Sequence, residues 1–105
     1  MKIAIIYHSE TGNTRQMAEL VGQGCARIEG VEARLMPVDD VDDAYVAASA
    51  AVILGSPTYE GSCTWQMKRY LDRDAKGLAG KLGGVFASQN WPGGGGGSFA
   101  EMTMI

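Results

Sequence analysis

The chain has 105 residues, enough for one domain with a real core. Hydrophobic residues make up 46% and charged residues 20%, an ordinary globular balance, and a net charge of −3 gives no overall attraction for nucleic acid or an anionic membrane. Cys25 and Cys63 lie far apart without metal-ligand spacing and the chain has one histidine, so a zinc site is not expected and both thiols read as free in a reducing cytosol.

The opening MKIAIIY fits a strand better than the core of a signal peptide. Residues 3–7 are continuously apolar and rich in β-branched side chains, as in a parallel strand buried on both faces. From Thr14 a helical stripe runs through Met17, Leu20, Val21, Cys25 and Ile28 and stops at Gly30. Residues 31–36 alternate, with Val31, Ala33 and Leu35 opposed to Glu32 and Arg34, the mark of an edge strand or one with a wetter side. Asp39, Asp40, Asp42 and Asp43 precede AYVAASA and suit the first turn of a short helix. Residues 51–54 form a second wholly apolar strand. Met67, Tyr70, Leu71 and Ala75 mark another helix, and residues 84–87 a last short strand. The longest apolar stretch, AYVAASAAVIL, is too short to span a bilayer, so no membrane span is expected and the chain is placed in the cytoplasm.

Strand–helix units in series imply an α/β fold, a doubly wound parallel sheet with right-handed crossovers. In such a sheet ligands sit beyond the carboxyl ends of the strands. Three loops fall there: HSETGNT (8–14), GSPTYEGS (55–62) and SQNWPGGGGGS (88–98). They are rich in glycine, hydroxyls and aromatics, a composition suited to binding. The first loop places Ser9, Thr11, Asn13 and Thr14 around Gly12 at the start of a helix. A helix N-terminus offers free N–H groups and partial positive charge, so it holds a phosphate without a basic side chain. A nucleotide-hydrolysing loop would place a lysine there to serve the transferring phosphate, and none is present. The pattern predicts a phosphate that is held rather than transferred. A GxGxxG turn is also absent, against a dinucleotide at this position.

IIYHSETGNT resembles the flavodoxin phosphate-loop signature, GSPTYEGSCTWQMKRYLD the second flavin loop and the helix after it, and FASQNWPGGGGG the third loop. The resemblance covers nearly the whole chain in order and implies a flavodoxin-like sheet of strand order 2-1-3-4. It also implies a flavodoxin-like FMN-binding domain over residues 1–105, incomplete at its C-terminus, with the family's fifth strand and last helix missing. Only the stub SFAEMTMI follows the fourth strand, which is therefore expected to be an open edge. By the same resemblance Ser9, Glu10, Thr11, Gly12, Asn13 and Thr14 surround the FMN phosphate. Pro57, Thr58, Tyr59, Glu60 and Gly61 lie along the ribityl chain and ring, with Ser88, Gln89, Asn90, Trp91 and Gly93 opposite. A flat ring with apolar faces and one polar edge suits Tyr59 and Trp91 as stacking partners and glycine-loop N–H groups as edge donors. Glu60 near the ring would lower the flavin's potential, and no side chain is required as acid, base or nucleophile.

The function expected is electron transfer through non-covalent FMN, with a redox partner protein or NAD(P)H and quinone as exchange partners. The alternative is an NAD(P)H-dependent quinone or flavin reductase, favoured by the wording of GSPTYEG and by the mild net charge. Against it, the connection DRDAKGLAGKLGG carries no aromatic insertion and Ser62 stands where that branch has asparagine. A third reading is a truncated module that no longer binds FMN. The open edge predicts a homo-oligomer, most simply a dimer.

Overall fold

The computed structural model describes residues 1–89 and 96–105. Its elements are β1 (Lys2–Tyr7), α1 (Asn13–Ala26), β2 (Glu32–Pro37), α2 (Asp43–Ala48), β3 (Ala51–Pro57), α3 (Trp65–Arg69) running into a π-helical turn (Tyr70–Asp74), β4 (Leu82–Ser88) and α4 (Gly96–Met104). The strands pair in the order β2-β1-β3-β4, all parallel, as the sequence pattern and the family resemblance predict.

β1 and β3 lie inside the sheet, and their uninterrupted apolar runs follow from burial on both faces. On one face Ala4, Ile6, Val52 and Leu54 pack with Tyr45 and Val46 of α2, Met67 of α3, Tyr70 of the π-helical turn and Met104 of α4. On the other, Ile5 and Tyr7 meet Ala18 of α1, with Val21, Ile53 and Phe86 packed around them. The edge character predicted for residues 31–36 is observed, since β2 pairs only with β1 and alternates exposed and partly buried residues as far as Met36.

Three local details differ from the sequence pattern. The buried side of α1 is Thr14, Ala18 and Gly22, while Leu20 and Ile28 are exposed. Small residues let the helix approach closely, and a Cβ on Gly22 would stand 2.8 Å from Leu35 Cδ1. β3 and β4 are longer than their apolar runs, because the small and polar ends GSP and S continue the pairing through Pro57↔Ser88. The stub after the glycine run is helical, and α4 buries Ala100 and Met104, so β4 is covered on that face. Its outer edge has no partner strand among the described residues.

The acidic cluster before α2 acts as expected of an N-terminal turn. Asp42 is the N-cap, accepting hydrogen bonds from the N–H groups of Ala44 at 3.1 Å and Tyr45 at 3.2 Å, with Arg34 Nη1 donating to its other oxygen at 2.9 Å. The Tyr45 N–H is the main reason its carboxyl sits below the usual range, with Arg34 adding to it.

Tyr70 is buried against the sheet, and its hydroxyl has no hydrogen-bond partner among the described residues. Burial, with Asp43 and Asp74 nearby, pushes its phenol up to about 12 from an ordinary 10.0. The native state therefore keeps a proton that the unfolded chain releases, so stability is lost as pH rises from about 10 towards about 12. Tyr70→Phe removes a stranded polar group at little cost in packing. It should leave stability at neutral pH unchanged or higher by about 1 kcal/mol and flatten this alkaline limb, as read from urea unfolding across pH.

Candidate functional site

The site is set by register. Tyr7 of β1, Gly55 of β3 and Phe86 of β4 lie abreast, and Pro57 pairs with Ser88, so the three loops predicted to bind a ligand leave the sheet side by side. Gly55 is required at this level because the Phe86 ring lies over it, and a Cβ there would collide with that ring.

In the first loop Ser9 Oγ accepts from the N–H groups of Gly12 at 3.1 Å and Arg15 at 3.3 Å, capping α1 from outside the helix. Gly12 has φ 96°, a conformation natural to glycine, and its carbonyl accepts the first helical bond from Gln16 at 3.0 Å. The N–H groups of Asn13 and Thr14, ahead of that bond, have no acceptor among the described residues. They form the donor set that a bound anion would need.

The second loop closes in a tight turn, with Tyr59 N donating to Ser62 O at 2.9 Å and Ser62 N to Tyr59 O at 3.0 Å. Its central residues, Glu60 at φ 51° and Gly61 at φ 72°, are both left-handed, the geometry of a type I′ turn. The loop is tied down at both ends. Thr58 N donates to Ser88 O at 2.9 Å, and buried Ser56 Oγ accepts from Thr64 N at 3.0 Å. Thr64 caps α3 in turn, accepting from Met67 N at 3.2 Å.

Glu10 ties the first loop to α3. Its Oε1 lies 2.9 Å from His8 Nε2 and accepts from Gln66 Nε2 at 3.1 Å. Partial desolvation, then the Glu10 carboxylate, raises the Tyr59 phenol above its ordinary range. His8 and Gln66 are the site residues that sequence reasoning missed as supports. Gln66 is 56 positions from Glu10, and nothing local to either signals the contact.

Glu10, Thr11, Asn13, Thr14, Pro57, Thr58, Tyr59, Ser88 and Gln89 line one cleft. Ser9 and Gly12 line the adjoining hollow with His8, Arg15 and Asp39. Glu60 and Gly61 stand at the tip of the turn, outside both linings. Asn90, Trp91 and Gly93 fall outside the described residues. Trp65, given no site role from the sequence, is exposed with Arg69 over its ring at 5.8 Å. The cleft's lining holds no lysine or arginine. Its donors are neutral hydroxyls, amides and backbone N–H groups, and Thr58 Oγ1 is buried there without a partner among the described residues. That stranded hydroxyl and the two free N–H groups fit a polar, phosphate-bearing ligand laid across loops one and two.

A parallel sheet of order 2-1-3-4 with a hydroxyl-rich, lysine-free loop opening α1 defines a flavodoxin-like protein. The flavodoxin family profile matches residues 5–102, and the chain belongs to that family. It is 38% identical over 91 residues to a flavodoxin of Clostridium saccharobutylicum, covering 86% of this chain and 57% of that one. It is 32% identical over 126 residues to an NAD(P)H dehydrogenase (quinone) of Syntrophobacter fumaroxidans, covering 90% of this chain and 61% of the relative. Among solved structures, the flavodoxin, WrbA-like protein from Agrobacterium tumefaciens superposes with a TM-score of 0.83 at 28% identity, over 98% of this chain and 68% of that one. The chain thus spans under two thirds of the length of these curated relatives.

The left-handed turn carries its own test. Gly61→Ala should lower stability by about 1–2 kcal/mol in urea unfolding, while Glu60→Gly should be neutral or stabilising, since only the first adds a left-handed Cβ penalty. Equal effects of the two would contradict the turn geometry.

Proposed function

We propose that residues 1–105 form an FMN-binding domain that carries electrons through non-covalent FMN. The observation that carries this reading is the lysine-free donor set at the start of α1, joined in one cleft to the hydroxyl- and aromatic-bearing second loop. In this reading the N–H groups of Asn13 and Thr14 and the hydroxyls of Ser9, Thr11 and Thr14 hold the phosphate. Thr58 Oγ1 meets the ribityl chain, and Tyr59 covers the ring. Gln89 closes the far side, Ser88 reaches back from the end of β4 to Thr14, and Asn90, Trp91 and Gly93 enter the proposal on sequence grounds alone. When bound, FMN supplies one- and two-electron chemistry, and the protein's part is binding, orientation and electrostatics.

Glu10 suits a carrier of this kind. Its Oε1 accepts from Gln66 Nε2 at 3.1 Å and lies 2.9 Å from His8 Nε2, contacts that hold the carboxylate in place beside the first loop. The reductase reading is supported by the resemblance to NAD(P)H dehydrogenases (quinone), at lower identity than to flavodoxins. The partner is accordingly a redox protein or an NAD(P)H and quinone pair. A cytoplasmic setting goes with two free thiols, and no helix among the described residues is long and apolar enough to cross a membrane.

FMN should bind more tightly than riboflavin, as measured by flavin fluorescence quenching. Thr11→Ala should weaken FMN by about 1–3 kcal/mol and leave riboflavin nearly unchanged. Equal affinity of the wild-type chain for the two flavins would contradict the phosphate-loop reading.

The proposal extends to self-association. β4 carries no charge along LGGVFAS, and α4 exposes Phe99 and Met102. An apolar groove of about 300 Å³ lined by Leu78, Leu82, Val85, Met104 and Ile105 lies along the same strand. A second copy paired along the β4 edge would cover these groups. Sedimentation at micromolar concentration should give a dimer, and Val85→Lys should return it to monomer. A wild-type monomer at that concentration would contradict the edge pairing.

A further inference from the structure

We infer that Ser88 is a positioning residue for phosphate recognition, acting through Thr14, an inference that rests on the FMN reading above. Resemblance alone puts Ser88 in the third loop, opposite the ribityl chain and ring. Its side chain instead points to the first loop. Ser88 Oγ and Thr14 Oγ1 lie 2.8 Å apart, a contact across 74 positions between the end of β4 and the first turn of α1. Thr14 is 1% exposed, so its hydroxyl is fixed by this contact rather than by solvent.

Two hydroxyls sharing one hydrogen bond spend one proton between them and keep one to give. Neither has another side-chain partner among the described residues. If Thr14 donates to Ser88, the free proton sits on Ser88 and Thr14 offers only lone pairs to an anion at the helix start. If Ser88 donates to Thr14, the free proton sits on Thr14, beside the N–H groups of Asn13 and Thr14, which have no acceptor among the described residues. An anion there selects the second arrangement, because it needs a donor and repels a lone pair. Ser88 thereby aims the Thr14 proton at the phosphate without touching it.

The backbone of Ser88 extends the link, since its carbonyl accepts from Thr58 N at 2.9 Å. One residue therefore ties all three loops: the first by its hydroxyl, the second by its carbonyl, the third by its place in the chain. A phosphate held by loop one is thereby linked to the strand end from which loop three leaves.

The test measures FMN and riboflavin binding by fluorescence quenching, and thermal stabilisation by inorganic phosphate, for the wild-type chain and three variants. Ser88→Ala should lower FMN affinity roughly tenfold, leave riboflavin within about twofold, and reduce the phosphate-induced rise in Tm. Thr14→Ala should do the same, and the double variant should lose no more than the larger single loss, because both remove one relay. Ser88→Thr, which keeps the hydroxyl, should restore FMN binding, which separates a lost orienting contact from a loosened loop. Equal loss of FMN and riboflavin in Ser88→Ala, or additive losses in the double variant, would overturn the relay while leaving the FMN reading in place. A wild-type chain that neither prefers FMN to riboflavin nor is stabilised by phosphate would overturn both.

Discussion

The parallel pairing of β3 with β1 on one side and β4 on the other is the constraint on which the site depends. Parallel strands need helices on both faces, so β1 and β3 must be apolar on both sides. Their pairing brings Tyr7, Gly55 and Phe86 abreast. A one-residue slip between β3 and β4 would turn Phe86 away from the Gly55 backbone and send Val85 to the wrong face. Pro57 would then no longer oppose Ser88, and the Thr58–Ser88 and Thr14–Ser88 contacts would be lost together.

Above that frame the site uses neutral groups to hold charge. Ser9 caps α1 without closing it, leaving the N–H groups of Asn13 and Thr14 without an acceptor among the described residues. Glu10, the one acid among the described residues of the cleft lining, is held by Gln66 and His8. In the proposed reading the arrangement costs no desolvation of a lysine or arginine, and it would fix a phosphate by direction rather than by net charge.

The parallel strands and the positions of the three loops were legible from local signals, and the strand order from the family resemblance. Continuous apolar runs mark buried parallel strands, and glycine with hydroxyls marks the turns at their carboxyl ends. The acidic start of α2 was legible for the same reason, while the choice of Asp42 as its cap comes from the structure. The buried side of α1 was not. Leu20 and Ile28 carry the apolar periodicity, yet the buried side is Thr14, Ala18 and Gly22, with Gly22 set tightly against Leu35, and their smallness gives no hydrophobic signal. The helix in SFAEMTMI was hidden by its brevity and by the glycine run before it, and its register comes from burying Ala100 and Met104. The joints between loops, Glu10 with Gln66 and Thr14 with Ser88, are long-range pairs of small polar residues, and no spacing in the chain announces them.

A phosphate held at the start of α1 by charge-assisted bonds to neutral donors would be favoured as its dianion over its monoanion. Phosphorus NMR of FMN bound to this chain reads that directly. One bound resonance is expected, with a shift that stays constant between about pH 5 and about pH 8, while free FMN in the same tube titrates at about pH 6. A bound resonance that titrates with the free one would mean that the phosphate remains in water and is not held by α1.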